Sequence, residues 1–154
     1  MQNAQEEEYV FYRFASGDFL TAVESLKEIS LYKEINIRRA LLLKVILAYC
    51  RPFKTSRGKY GNYKLSQSFV PVEHKNLHDK LIKYRDNVLA HTDLTVRRPR
   101  LYEWKNSSGQ LFPIVFRSLD LNKLENVIPE LKQLIDKILN RIQEQLKTLE
   151  AWLP

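Results

Sequence analysis

The sequence predicts an all-α fold, a four- to five-helix up-and-down bundle carrying a small β-hairpin insertion. Three observations predict it. Apolar residues from Leu121 to Leu149 recur along one helical stripe about eight turns long. Two earlier stretches, Phe19 to Ile29 and Ile37 to Tyr49, repeat the same period. Between Leu101 and Phe116 the helical period fails, and two apolar runs flank Lys105-Asn106-Ser107-Ser108-Gly109-Gln110, the pattern of a hairpin. Helices joined by antiparallel-compatible connections make a bundle the natural architecture, and at 154 residues the chain is one domain.

Each element follows in order. Glu6 to Phe14 reads as a short helix whose acidic start suits a helix N-terminus. Ser16-Gly17-Asp18 is expected to break it and to cap a second helix with Phe19, Ala22, Val23, Leu26 and Ile29 on its inner face. Ile37 to Tyr49 is apolar around much of its circumference, which predicts the central helix, and Arg51-Pro52 ends it. Residues 52 to 72 form a long basic connection with Gly58 and Gly61; connections of that length are usually functional or disordered. Pro71 to His91 holds a further amphipathic helix, and Pro129 either kinks the last helix or marks a restart.

Composition narrows the class. With 44% apolar and 28% charged residues the chain resembles an ordinary globular protein. No apolar run approaches the roughly 18–20 residues of a membrane span, since Lys44 interrupts Ala40 to Tyr49. The acidic opening Met-Gln-Asn-Ala-Gln-Glu-Glu-Glu lacks the apolar region of a secretory leader. The single cysteine, Cys50, has no partner in the chain and fits a reducing compartment, so a cytoplasmic location with no membrane partner is expected. A buried thiol is usually inert, and Cys50 is not expected to act as a nucleophile.

The net charge of +7 is unevenly spread. From Ile35 to Val72 there are eight basic residues (Arg38, Arg39, Lys44, Arg51, Lys54, Arg57, Lys59, Lys64) and no acidic one. A second cluster, Arg97, Arg98, Arg100 and Lys105, has only Glu103 against it. Segregation of this kind favours an anionic partner, nucleic acid first; the bland alternative is a solvated basic face.

The stretch that carries chemistry is Tyr84-Arg85-Asp86-Asn87-Val88-Leu89-Ala90-His91-Thr92-Asp93. At about 100° per residue, Leu77, Leu81, Tyr84 and Val88 centre the apolar face, with Arg85 at one edge and His91 at the other. The two lie about 120° apart around the axis and about 9 Å along it. They converge only if the last turn opens, if the arginine reaches back, or if a symmetric dimer pairs this face with its copy. A fixed cation and a side chain that titrates near neutral pH are what phosphodiester cleavage needs. They equally serve a phosphate site without chemistry. Structural readings stand beside both: Arg85 pairing with Asp86, Glu73 or Asp93, and His91 answering the helix dipole.

Other constellations are thinner. His74 and His78 are four apart and could share a metal, but no third ligand is evident, and no metal is expected. The four glycines form no phosphate-cradling loop, no Ser-His-Asp arrangement is legible, and no cofactor is expected. Tyr60, Tyr63 and Phe69 either stack on unpaired bases or pack the long connection down.

The string YRDNVLAHTD resembles the R-x(4–6)-H signature of the HEPN superfamily, and in particular its abortive-infection-like bacterial members. The spacing here is five, and Asp86 supplies the polar residue after the arginine. The motif covers about ten residues, and the all-α context extends the likeness loosely over the chain. The resemblance implies a compact, commonly dimeric bundle. Many members are metal-independent endoribonucleases in toxin, phage-defence or RNA-processing roles, while others bind nucleotides or partners without chemistry. Carried over, Arg85 would hold the scissile phosphate, His91 would move protons, Asp86 would orient one of them, and Asn87 would add a hydrogen bond. One subgroup has a tyrosine two residues after the histidine; Asp93 stands there, so that form of control is not expected. The expectation is therefore an RNA-directed nuclease acting as a homodimer, with Arg51, Arg57, Lys59, Arg97 and Arg98 on the RNA and an antitoxin protein as a further partner. The alternative is a non-catalytic nucleotide- or protein-binding dimerisation module.

Overall fold

Helix α1 (Ala4–Ile29) begins where the Asn3 side chain accepts the Glu6 N–H at 2.9 Å, satisfying one of the donors a helix start leaves unpaired. It runs 26 residues without interruption. The expected break at Ser16-Gly17-Asp18 is therefore corrected. A mid-helix glycine costs only about 1 kcal/mol, and Ala15, Ser16, Phe19 and Ala22 are all buried around it. Packing on both sides of Gly17 outweighs the local preference.

The structure, a computed structural model, describes residues 3–86, 100–106, 109–115 and 125–152. Among them the chain is mainly α-helical. Helix α2 (Ile35–Cys50) follows α1 after a five-residue connection, helix α3 spans Lys75–Tyr84, and helix α4 spans Ile128–Glu150. Tyr9 donates to Glu150 and Gln143 to Ser16, so α4 runs antiparallel to α1. A five-residue connection joins the end of α1 to the start of α2, and Arg51, just past the end of α2, meets Asp18 near the middle of α1, so α2 also runs antiparallel to it. Helix α1 packs against both. It, not α2, is the central element. Ile35, Ile37 and Leu47 are exposed because the apolar residues of α2 are spread around the helix instead of being gathered on one side.

The core is filled by Phe19, Ala22 and Leu26 of α1, Leu42, Val45, Ile46 and Tyr49 of α2, Leu77 and Leu81 of α3, and the stripe of α4. Leu134, Ile135, Ile138 and Ile142 of that stripe are fully buried, each stabilising the fold by about 1.5–3 kcal/mol. Pro129 lies in the first turn of α4, where a missing N–H costs nothing; it marks a start. Leu121 and Leu124 lie outside the described residues.

The long connection after α2 is folded. A 3-10 turn over Arg51–Phe53 leads into a two-stranded antiparallel ribbon, β1 (Ser56–Arg57) with β2 (Asn62–Tyr63). The loop at its tip closes on α1. The buried carboxylate of Glu7 accepts the N–H groups of Lys59 (2.7 Å) and Tyr60 (2.8 Å), which ties the loop to the first turn of α1. Burial pushes the Glu7 carboxyl up, but hydrogen bonds from Tyr60, Lys59 and Tyr63 outweigh it and hold the carboxyl below its usual range. Tyr63 stacks on Phe11 and Phe69 lies against Tyr12, so two of the three aromatics proposed for base stacking pack the connection down. Tyr60 stays at the surface, with the Lys59 ammonium over its ring.

The expected hairpin is present. Strand β4 (Trp104–Asn106) pairs with β5 (Gly109–Leu111), and β3 (Arg100–Leu101) with β6 (Ile114–Val115), all antiparallel. Gly109 takes φ +142°, which an L side chain rarely adopts.

Candidate functional site

Helix α3 presents the motif because its other side is anchored. Leu77 and Leu81 enter the core and His78 is buried beside them. The hydroxyl of Tyr49 and Nδ1 of His78 share a 2.8 Å hydrogen bond, and the His78 ring meets Phe53 edge-on at 4.6 Å. Burial holds the His78 imidazole below its usual pKa, so it is neutral. His74 reaches Glu130 of α4 at 3.5 Å through its Nδ1. His78 is thus committed to Tyr49, and among the described residues no metal-holding cluster of His, Cys, Asp or Glu forms.

After Tyr84 the backbone widens into a π-type turn over Arg85 and Asp86, a local change often found where helices carry function. Arg85 Nη1 donates to Asp86 Oδ1 at 2.8 Å, and Lys54 Nζ donates to Asp86 Oδ2 at 2.5 Å. About a third of each of the three side chains is open to solvent (32–34%). One carboxylate therefore sits between two cations, leaving one net positive charge. Burial pushes the Asp86 carboxyl up, and the hydrogen bonds and charges of Lys54 and Arg85 overcome that and hold it below its usual range. Of the partners weighed for Arg85, Asp86 pairs with it, Glu73 is held by Lys137 at 2.6 Å, and Asp93 lies outside the described residues. Cys50 lies buried close to these charges; burial pushes its thiol up to about 12, against the pull of Arg85 and Lys54, so it stays protonated.

Lys54 is the residue that sequence reasoning missed at this site. It belongs to the basic run, but 32 residues separate it from Asp86 and no spacing rule joins them. Arg51 stands three residues earlier, in the same 3-10 turn, and pairs with Asp18. Burial pushes the Asp18 carboxyl up, opposed by Arg51. Arg57 and Lys59 are exposed on the ribbon that follows. Arg85, Asp86 and Lys54 are thus joined directly, while Arg51 faces the neighbouring side of α1. Asn87, His91, Arg97 and Arg98 lie outside the described residues.

No protein-family model, curated protein or solved structure matches the chain. The arrangement itself can bind an oxyanion. A guanidinium with five N–H donors and an ammonium offer a phosphate paired, charge-assisted hydrogen bonds if they exchange Asp86 for it.

Proposed function

We propose that this chain is a HEPN-like, metal-independent endoribonuclease of toxin or phage-defence type, working at a groove between two copies. The observation that carries the reading is the partly exposed cluster of Arg85, Asp86 and Lys54 at the end of α3, followed in the sequence within five residues by His91. In this mechanism Arg85 holds the scissile phosphate and offsets the charge that grows on its oxygens. His91 takes the proton from the 2′-hydroxyl as that oxygen attacks phosphorus, or returns one to the departing 5′-oxygen. The P–O5′ bond breaks, giving a 2′,3′-cyclic phosphate and a 5′-hydroxyl. Lys54 adds a second cation for the backbone, and Asn87, Arg51, Arg57, Lys59, Arg97 and Arg98 extend the contact. RNA, a second copy of the chain and an antitoxin protein are the proposed partners.

One observation favours a second reading. Asp86 already occupies Arg85, as it would in a module that binds a nucleotide or protein without cleaving RNA. Cleavage of a labelled structured RNA in excess EDTA, beside Arg85→Ala and His91→Ala, separates the two. Cleavage by the wild type alone, leaving cyclic-phosphate ends, supports the nuclease. Absence of cleavage across several RNAs supports the binding module.

A further inference from the structure

Beside the Arg51–Asp18 pair lies a groove of about 280 Å³ lined by Phe11, Phe14, Asp18, Arg51, Pro52 and Ser56. That is just under the roughly 300–1,000 Å³ of ordinary small-molecule pockets, room for a flat ring system and little more. Its mouth carries Phe14, an aromatic ring 72% exposed to solvent. Its polar end is a carboxylate only 15% exposed, with the far more exposed Arg51 guanidinium donating to it. Arg51, Pro52 and Ser56 of its lining belong to the segment from residue 35 to 72, which holds eight cations and no anion. Lys54, which closes the turn begun by Arg51, reaches Asp86 at the Arg85 site.

We propose that this groove takes a guanine base of single-stranded RNA, a reading that rests on the RNA-directed role of the Arg85 site. An exposed aromatic ring offers any base a stacking face. The Asp18–Arg51 pair adds selection. A carboxylate can accept two adjacent donors, and guanine alone among the four bases presents two, N1–H and N2–H, side by side. Its neighbouring O6 accepts from a guanidinium. Asp18 keeps lone pairs for this while bonded to Arg51, because a carboxylate has about four acceptor positions. With the base seated, the phosphates on either side run toward Arg57 and Lys54, and through Lys54 toward Arg85. The groove thus supplies a specificity contact a short way along the strand from the scissile bond.

The test is fluorescence anisotropy in EDTA with the His91→Ala protein, using short labelled uridine oligomers that carry one central guanine, inosine, adenine or cytosine. Guanine should bind tightest, with inosine weaker because it lacks the N2 amine. Phe14→Ala should weaken the guanine oligomer by about 5- to 150-fold, the range for loss of one base–aromatic stack; Phe14 is at the surface, so the variant should keep its helical circular dichroism. Asp18→Asn should remove the preference for guanine over inosine. Equal affinity for all four oligomers, or no effect of Phe14→Ala, would overturn the proposal. RNA that binds in this pattern but is never cut by the wild type sinks the nuclease reading and leaves the groove assigned. RNA that is cut with no dependence on Phe14 does the reverse. Failure to bind any RNA overturns both.

Discussion

Replacing Asp86 by asparagine keeps the shape of the side chain and removes the one anion between Lys54 and Arg85. Both ion pairs are partly solvent-exposed, so each is worth about 0.2–1 kcal/mol. The stability loss should stay under about 2 kcal/mol, and Tm should fall by less than roughly 8 °C at this chain length. The effect on RNA should be larger in kind. Removing the anion adds one net positive charge to a site that already carries one, and each further charge matched to a single-stranded phosphate backbone steepens the dependence of log affinity on log salt by about 0.7. Anisotropy of a labelled RNA across a potassium chloride series, in EDTA, reads that slope. Affinity at low salt should rise while cleavage falls, because the carboxylate that orients Arg85 is gone. In the wild type this restraint persists at every practical assay pH. The folded Asp86 carboxyl sits below its ordinary 3.8, so its contribution is present above that value and lost only as pH falls through the folded pKa. An unchanged salt slope in Asp86→Asn would refute the idea that Lys54 and Arg85 meet the RNA backbone.

Four further outcomes follow from the packing. Tyr49→Phe strands the buried Nδ1 of His78 and should cost about 1–3 kcal/mol, measured by urea unfolding. In the wild type the depressed His78 pKa makes stability decline as pH drops below its ordinary 6.5 toward the folded value, since only the unfolded chain takes the proton; stability that is flat between pH 7 and 5 would contradict a neutral buried imidazole. Ile135→Ala, in a fully buried position of α4, should cost about 2–5 kcal/mol by the same measurement. Gly58→Ala would put a methyl 2.2 Å from Glu7 Oε2, where the carboxylate is already fixed by Lys59 and Tyr60. The ribbon should detach, seen as faster tryptic cutting at Arg57 and Lys59; an unchanged rate would show that Glu7 can move aside.

What was legible in the sequence was periodic. The α4 stripe, the hairpin around Gly109 and the end of α2 at Pro52 are local signals, and each stands where it was expected. The unbroken course of α1 was not legible, because Gly17 and Asp18 favour a break locally and only burial of Ala15, Phe19 and Ala22 overrides them. Its central place was hidden for a related reason: a helix apolar all round looks central, yet α2 leaves Leu47 and Ile37 exposed. At the site, Arg85 and Asp86 announced themselves as neighbours. Lys54, Asp18 and Glu7 did not, since each finds its partner 32 to 53 residues away through the fold of a connection that has no period to read.

The place of α1 between α2 and α4 has a consequence during synthesis. Its first neighbour leaves the ribosome almost at once, but the second begins at Ile128, about 100 residues after α1 ends at Ile29. At roughly 5–20 residues per second, the side of α1 that awaits α4 stays uncovered for roughly 5–20 s. For that interval the nascent chain displays an apolar stripe beside a run of cations, a pairing that invites chaperones and stray polyanions alike before the molecule has closed.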